Sequence, residues 1–564
     1  MLASFIGSYY GDSLVSKQHW GSLTKYADNL VSHSTGAGKG NAVGRSSSSS
    51  SLSEVAVATC DTFLDWATAG ACNTGMCDGF YHSSCESRQC PVGEEMAGFS
   101  YVEALQAMAS MARQLHLPDD AAKYGNLAIA AKQAFHSSFW NDTAQSYGDD
   151  STGMQMLTIP ALTIAAMPNP QVQARSVSLL LADLHNRSGH HLQIGAVNSK
   201  AYLGVLSQYG LHANALRVAT QRTEPGWGYW LAQGATTCWE HWPGDTSRNH
   251  IFLCGGFGEW LWKHVVGIQH SSAGFATVAI TPKIDGVYGP SHATGRFTSA
   301  NGDIVVSWDR LDGHANNSRI GSSTNSSSTD SSCTDSSGST NHGNGCAAIR
   351  LQVTIPPGVA KATVLVPVPF GPRVGAPPEV ICGFGSEVGA KQVALNHKNT
   401  DTAEAPKVVY LECAGGGSIS SINFASFGTS VPPRINSVGA EDDCGVWQDK
   451  GGSCYANTSL TVVEELCLNR TQCSIAVNAT LFGGDPCPFH IKTLAIRATC
   501  NGGTVRRQVS TFTVKEGNDV VWDGTKVVAH NISGIASARQ DSSGGIEVEV
   551  LSGAFQFEAA GITY

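Results

Sequence analysis

Apolar positions recur at helical spacing through the first half of the chain and at alternating spacing through much of the second. Near the start, Leu23, Tyr26, Ala27 and Leu30 fall on one helical face. Phe99, Val102, Leu105, Met108, Ala112 and Leu115 make a longer stripe. After a Pro118-Asp119-Asp120 break, Tyr124, Leu127, Ala131 and Phe135 make another. The same spacing predicts helices over 153–167, 172–185, 200–208 and 213–221, with breaks at Pro168-Asn169-Pro170 and Tyr209-Gly210. Paired helices with short breaks predict helical hairpins packed as layers. Beyond Gly267 the period changes to two. Strands are predicted over 276–280, 303–308, 348–354, 363–366, 508–514, 546–550 and 554–557.

Composition narrows the class. A chain of 564 residues with 42% apolar content has room for two to four domains with sizeable cores. Only 14% of residues are charged and the formal net charge is −10, which argues against a nucleic-acid partner. No run approaches the length of a membrane-spanning helix, so no membrane partner is expected. Residues 34–53 and about 316–345 are Ser/Gly/Asn-rich and lack core formers. The 17 cysteines, with Asn-x-Ser/Thr acceptors at Asn141, Asn186, Asn316, Asn325, Asn457, Asn469, Asn478 and Asn531, predict an extracellular or secretory-pathway protein. The first residues carry no signal-peptide pattern, and the chain is expected to begin inside a domain. Cys72, Cys77, Cys85 and Cys90 lack tight C-x-x-C pairs, so two local disulfides are expected there and no metal or other cofactor.

The candidate chemistry lies in Glu224–Ile268, which holds six of the twelve tryptophans: Trp227, Trp230, Trp239, Trp242, Trp260 and Trp262. Glu240 sits between two of them, and His250 follows in a Ser-Arg-Asn-His step. Indole faces beside a carboxylate suit a sugar site, because flat rings stack on the C–H face of a pyranose. The alternative is a tryptophan-rich core with one satisfied Glu. The frequent glycines mark loops, where binding residues concentrate.

Four linked motifs, Trp227-Gly228-Tyr229, Gly234 to Glu240, Ser247 to His250 and Gly258 to Leu261, resemble the catalytic domain of the inverting α-L-rhamnosidases. The resemblance implies part of an (α/α)6 six-hairpin barrel over residues 1–267. A C-terminal β-sandwich would follow over 268–395 and 503–564. It implies Glu240 as general base and His250, Trp227, Asp65 and Trp66 as substrate-binding residues. Asp65 and Trp66 enter through a Phe63-Leu64-Asp65-Trp66 segment. The family's general acid lies in an upstream carboxylate-rich segment; none of Asp65, Glu94, Glu95 and Glu259 carries its motif. His191-Leu192 and Gly195 resemble a loop bordering the site, although His190 and His191 read from the residues alone as a solvated pair.

Residues 408–501 carry seven cysteines, Cys413, Cys444, Cys454, Cys467, Cys473, Cys487 and Cys500; the odd count leaves one thiol free or paired with Cys382. The LECAGGGSISSINFASFGTS, GSCYANTSLTVVEELC and FGGDPCPFHIKTLAIRATC segments resemble the galactose/rhamnose-binding (SUEL-type) lectin domain, in the form that ends plant β-galactosidases. This small disulfide-rich α/β domain would be inserted into the sandwich. The resemblance implies Asp485 and Lys492 as sugar contacts; Ala414 stands where animal members often carry Glu. The implied function is removal of terminal α-L-rhamnose from glycosides or polysaccharides, with galactose or rhamnose bound at the lectin domain. Two alternatives stand beside it: a catalytically inactive lectin, and a related six-hairpin glycosidase with another substrate.

Overall fold

The computed structural model describes residues 2–34, 92–147, 154–186, 188–242, 244, 247–312, 346–375, 379–386, 408–413, 417–429, 454–488, 490, 492–501, 504–508, 512–528 and 532–562. Its contacts divide the chain into two compact units. One comprises Met1–Phe5, Ser13–Gly258 and Pro377–Gly503; the other comprises Ile6–Asp12, Glu259–Ala376 and Thr504–Tyr564.

The helical part runs α1 (Leu2–Tyr10), α2 (Leu14–Ser34), α3 (Val92–Gln114), α4 (Pro118–Phe139), a short hairpin of β1 (Trp140–Asn141) and β2 (Ser146–Tyr147), α5 (Met154–Thr163), α6 (Pro170–Asn186), α7 (Ala196–Gln208), α8 (His212–Ala219), α9 (Trp227–Ala232) and α10 (Gly255–Trp260). Helices α3 and α4 form a hairpin whose facing residues are the predicted stripes: Phe99, Val102, Leu105, Met108 and Ala112 meet Tyr124, Ala131 and Phe135, all buried. The break at 118 is the start of α4. Pro118 is tolerated in the first turn, where its missing N–H has no helical partner, and Asp119 and Asp120 complement the positive end of the helix. Helix α5 is buried from Met154 to Leu162, as expected of a helix apolar on every side. It stops at Thr163, earlier than the predicted 167, and Ala165 adopts a left-handed φ of 51°.

The second unit is sheet-rich. Alternating strands β5 (His292–Ser299), β6 (Gly302–Asp312) and β7 (Cys346–Ile355) join β16 (Phe512–Glu516), β17 (Asp519–Trp522) and β20 (Gly553–Ile562) in a six-stranded sheet of order β17-β16-β20-β7-β6-β5. A five-stranded sheet has order β18-β19-β8-β4-β3. Its members are β3 (Ile268–His270), β4 (Thr277–Ile280), β8 (Lys361–Val366), β18 (Ile535–Gln540) and β19 (Ile546–Val550). Inward positions such as Ile304, Val306, Trp308, Leu351, Val364, Val548 and Phe557 are buried, alternating with less buried ones along β6, β8 and β19. Both sheets are completed by strands that follow residue 503. β20 pairs with β7 from Gly553↔Ile355 to Ile562↔Cys346, and β19 pairs with β8. The predicted strand 508–514 is resolved as β15 (Thr504–Gln508), paired with β9 (Phe370–Gly375), and the separate β16.

One predicted boundary moves. β10 (Glu379–Ser386), expected in the 268–395 part of the sandwich, pairs along its whole length with β14 (Thr493–Cys500). All eight of its residues pair with β14, so it is an outer strand of the sheet of the lectin region. That sheet has order β10-β14-β12, with β12 at Ile419–Gly428. Beside it, β11 (Val408–Glu412) pairs with β13 (Gln472–Ala476), and α11 (Ser459–Cys467) packs on β12 and β13. Val409, Leu411, Phe427, Val463, Ile475, Leu494 and Ile496 form its core. Disulfides Cys413–Cys500, Cys454–Cys487 and Cys467–Cys473 staple it. So small a core gains stability from crosslinks that restrict the unfolded chain. Cys72, Cys77, Cys85, Cys90 and Cys444 lie outside the described residues.

Candidate functional site

Helix α9 begins where the chain folds tightly on itself. A Cβ on Gly228 would lie 2.4 Å from the Gln221 carbonyl oxygen, so only glycine fits there. The helix turns Trp227 and Trp230 inward. The Trp230 indole N–H donates to the Trp242 carbonyl at 2.8 Å, and the two rings stack at 4.7 Å. The Trp227 N–H donates to the Leu253 carbonyl at 3.1 Å, and its ring lies edge-on to Trp242 and Phe257.

The expected indole platform is therefore a packed cluster. Trp227, Trp230, Trp239 and Trp242 are all at least nine-tenths buried, and Trp260, in the second unit, is buried as well. The physical reason is area: burying rings of this size stabilises the loop more than exposing them. Trp227 is consequently packed against Trp242, Phe257 and the Leu253 carbonyl. Trp262 is 39% exposed, in the second unit.

Against this cluster, 237–240 runs beside 247–250 as a small antiparallel hairpin. The Glu240 N–H donates to the Ser247 carbonyl at 2.9 Å, and the His250 N–H donates to the Cys238 carbonyl at 2.8 Å. The Thr237 hydroxyl donates to the Arg248 carbonyl. A disulfide, Cys238–Cys254, closes the segment that contains both Glu240 and His250. The Arg248 guanidinium lies 4.7 Å over the Trp239 ring and its Nε donates to the Gly244 carbonyl at 2.9 Å. Gly244, at φ 72°, lies so close that a Cβ would be 2.4 Å from the Trp239 ring.

The Glu240 side chain is half-buried, and its Oε2 accepts the Ser247 N–H at 3.3 Å. A carboxylate has about four lone-pair sites, so one long backbone bond leaves capacity for a water or a hydroxyl. His250 places its ring edge-on to Phe252 at 4.2 Å, and its Nδ1 is buried with no hydrogen-bond partner among the described residues. A buried polar nitrogen in that condition calls for a partner, which a ligand hydroxyl would supply. Phe252 is 55% exposed, with its carbonyl held by the Ser199 hydroxyl at 3.0 Å. Cys238, Cys254 and Phe252 were not singled out by sequence reasoning. Two cysteines flanking the Glu240–His250 interval were the one signal for the crosslink.

His190 and His191 are buried, which corrects the solvated pair expected of them. The His191 ring bridges the Ser188 carbonyl at 2.8 Å and the Thr223 hydroxyl at 2.6 Å. The Asn214 amide nitrogen lies 3.1 Å from His190 Nε2 and 2.9 Å from His185 Nε2. Burial lowers both affinities for a proton. His190 is well below the ordinary histidine value, with Arg217, His185 and His191 adding to the effect; His191 is lowered by burial against two backbone hydrogen bonds that raise it. Nearby, the buried Gln155 joins the Asp183 carboxylate, the His191 carbonyl, the Gln193 N–H and the Tyr202 hydroxyl. Two histidines in Gly-His-His read as polar, but tertiary burial decides their role. Glu259, set aside as structural, accepts from Tyr9 at 3.2 Å and pairs with Lys263. Asp65, Trp66, Glu94, Glu95 and Ala414 lie outside the residues whose side chains are described.

In the lectin region Asp485 and Lys492 meet. Lys492 Nζ lies 2.8 Å from Asp485 Oδ2 and donates to the His490 carbonyl at 2.9 Å. The other oxygen, Asp485 Oδ1, accepts the Cys487 N–H at 2.8 Å. The lysine side chain is 7% exposed and the carboxylate 42%, so a sugar would meet the acid first. The Lys492 ammonium, followed by burial opposing it and the Cys487 N–H assisting it, holds the Asp485 carboxyl below its usual range. No described helix is long and apolar enough to cross a membrane.

Two domain families match this chain. Residues 1–265 match the bacterial alpha-L-rhamnosidase six-hairpin glycosidase domain, and residues 411–500 match the D-galactoside/L-rhamnose binding SUEL lectin domain. An alpha-L-rhamnosidase of Streptomyces avermitilis is 28% identical over 224 residues, covering 38% of this chain and 21% of that protein. Beta-galactosidase 7 of Oryza sativa subsp. japonica is 45% identical over 97 residues, covering 17% of this chain and 11% of that protein. The solved structure of alpha-L-rhamnosidase from Dictyoglumus thermophilum aligns with a TM-score of 0.54 at 15% identity, over 99% of this chain and 38% of that one. That likeness concerns the fold. The matched part of the chain spans about a fifth of the length of the Streptomyces relative.

Proposed function

We propose that this chain, which joins a six-hairpin glycosidase domain of the α-L-rhamnosidase family to a SUEL-type lectin domain, acts outside the cell. Its reaction is removal of terminal α-L-rhamnose from glycosides or polysaccharides, with inversion. Inversion needs two carboxyl groups about 6.5–9.5 Å apart, one protonating the leaving oxygen and one deprotonating a water on the opposite face of the ring. Glu240 takes the second role. His250 holds a sugar hydroxyl, while Asp65 and Trp66 join the sugar pocket and Trp227 backs it. The observation that carries this reading is the Glu240–His250 hairpin. A half-buried carboxylate and a histidine whose buried Nδ1 has no hydrogen-bond partner among the described residues stand on one disulfide-closed segment.

The chemistry follows from that placement. Glu240 accepts the water's proton as the oxygen approaches the anomeric carbon, and the Ser247 N–H holds the carboxylate in register. The proton donor to the leaving group is a second carboxylic acid, which no described residue is assigned to supply. At the lectin domain, Asp485 offers an acceptor and Lys492 a donor to adjacent sugar hydroxyls.

The test is release of rhamnose from an aryl α-L-rhamnoside, with the first-formed anomer followed by NMR. Glu240→Gln keeps the shape and removes the base, and is expected to lower kcat by about 10²–10⁴-fold. A β-rhamnose first product supports inversion. Unchanged turnover in Glu240→Gln, or an α first product, sinks the assignment. A second reading, a lectin on an inactive scaffold, draws on the preformed Asp485–Lys492 pair. It is favoured if the chain binds galactoside or rhamnoside and releases no rhamnose.

A further inference from the structure

Among the described residues of the lectin region, one aromatic is exposed in a way its own packing leaves unexplained. Tyr455 is 48% exposed, whereas Phe427 and Phe482 are buried and stacked on each other at 4.4 Å, and Phe424 is half-buried. Tyr455 is tied to the Asp485–Lys492 pair from two directions. On one side, Cys454 is disulfide-bonded to Cys487. Cys487 Sγ lies 3.0 Å from the Cys454 carbonyl oxygen, and the Cys487 N–H holds Asp485. On the other side, Tyr455 bridges Gly428, Gly428 pairs with Thr493, and Thr493 follows Lys492. The Thr493 hydroxyl donates to the Gly428 carbonyl at 3.3 Å.

The close approach at Gly428 sets the spacing. A Cβ there would lie 2.3 Å from the Cys454 carbonyl oxygen and 2.8 Å from Tyr455 Cα, so only glycine lets the Tyr455 strand come so near. The phenol ring therefore stands on a backbone that is crosslinked and sheet-anchored to the segments carrying Asp485 and the nearly buried Lys492. A rigid base of this kind lowers the ordering cost of binding.

We infer that Tyr455 is the stacking face of the lectin site: its ring carries the apolar C–H face of a galactoside or rhamnoside whose hydroxyls meet Asp485 and Lys492. This rests on the lectin reading given above. The chemistry divides the labour. Charged groups fix hydroxyl orientation, and an aromatic face takes the ring carbons, which no described group of the Asp485–Lys492 pair can do. A sugar lacking a continuous C–H face would lose the second contribution while keeping the first.

Calorimetric titration of the full chain with methyl β-D-galactoside and with methyl α-L-rhamnoside tests this, and the two arms separate the sugars. Tyr455→Ala is expected to weaken lectin-site binding roughly 3- to 10-fold. Tyr455→Phe and Tyr455→Trp, which keep a ring, are expected to stay within about 2-fold of the wild type. Asp485→Asn identifies the heat that belongs to the lectin site, because the glycosidase domain is a second place for rhamnoside to bind. Thermal melting of each variant separates lost binding from lost folding. A binding wild type with undiminished affinity in Tyr455→Ala overturns this inference alone, as does a Tyr455→Phe as weak as Tyr455→Ala. A wild type that binds neither glycoside overturns the lectin reading and this assignment together.

Discussion

Glu240 and Ser247 hold each other twice. The Glu240 N–H donates to the Ser247 carbonyl at 2.9 Å, and the Ser247 N–H donates back to the Glu240 carboxylate at 3.3 Å. The second bond fixes the side chain to the partner strand of its own hairpin. The two are seven positions apart in sequence, and the loop between them decides whether they meet. That loop turns on Gly244. Replacing it with Ala puts a methyl group into the buried Trp239 ring and forces a β-carbon to φ 72°. We expect Gly244→Ala to cost about 1–3 kcal/mol and to lower turnover as Glu240 shifts. Thermal melting and kcat on an aryl rhamnoside check it; an unchanged melting temperature would show that the turn tolerates a side chain.

The same hairpin is closed by Cys238–Cys254, sixteen residues apart. Loop-closure entropy assigns such a crosslink roughly 3 kcal/mol through the unfolded chain. Serine at both positions, or reduction, is expected to destabilise the helical domain and release the Trp239–Trp242 cluster. Tryptophan fluorescence during urea unfolding reads this directly. Identical midpoints with and without reductant would mean the crosslink adds nothing.

Acid should loosen the helical domain before it affects the carboxylates. His190 and His191 have folded-state proton affinities below the ordinary value because they are buried. Above about pH 6.5 both are neutral, folded or unfolded, and no stability is lost. As pH falls below that value the unfolded chain binds protons that the fold refuses. Stability then declines, with a slope of up to about 1.4 kcal/mol per pH unit for each histidine. Urea midpoints between pH 7.5 and 5 measure this. A His190→Gln variant whose midpoint declines as steeply as the wild type would rule His190 out as a source.

Asp485 loses stability in the same direction, toward acid, but in a lower pH window and through a charged partner rather than through burial. Its folded-state value is depressed, chiefly by the Lys492 hydrogen bond, so its contribution is complete above the ordinary carboxylate range near 3.9 and is lost only as pH falls below it. Galactoside affinity is accordingly expected to be flat from about pH 5 upward and to fall in stronger acid. Its loss already at pH 5 would contradict an Asp485–Lys492 pair that survives in solution.

The sequence alone was informative wherever a local pattern is also the physical cause. The 3.6-residue stripes of Phe99–Leu115 and Tyr124–Phe135 are the faces that bury against each other, and strands such as 303–308 and 546–550 alternate because one side of each sheet is core. Linked motifs of fixed order located the two sugar-related domains. What the sequence could not determine depends on residues brought together from afar. It placed β10 with the sandwich because an apolar strand does not say which edge it will join; eight partners on β14 decide that. It offered Trp227 as a sugar platform and His190 and His191 as a solvated pair. Only packing decides whether an aromatic ring faces a ligand or its neighbours, and whether an imidazole meets water or Asn214 and Thr223. Burial is a property of the assembled surface. No spacing along the chain encodes it for a single polar or aromatic side chain, and for that reason Tyr455 became legible only from its bridge to Gly428 and the neighbouring Cys454–Cys487 crosslink.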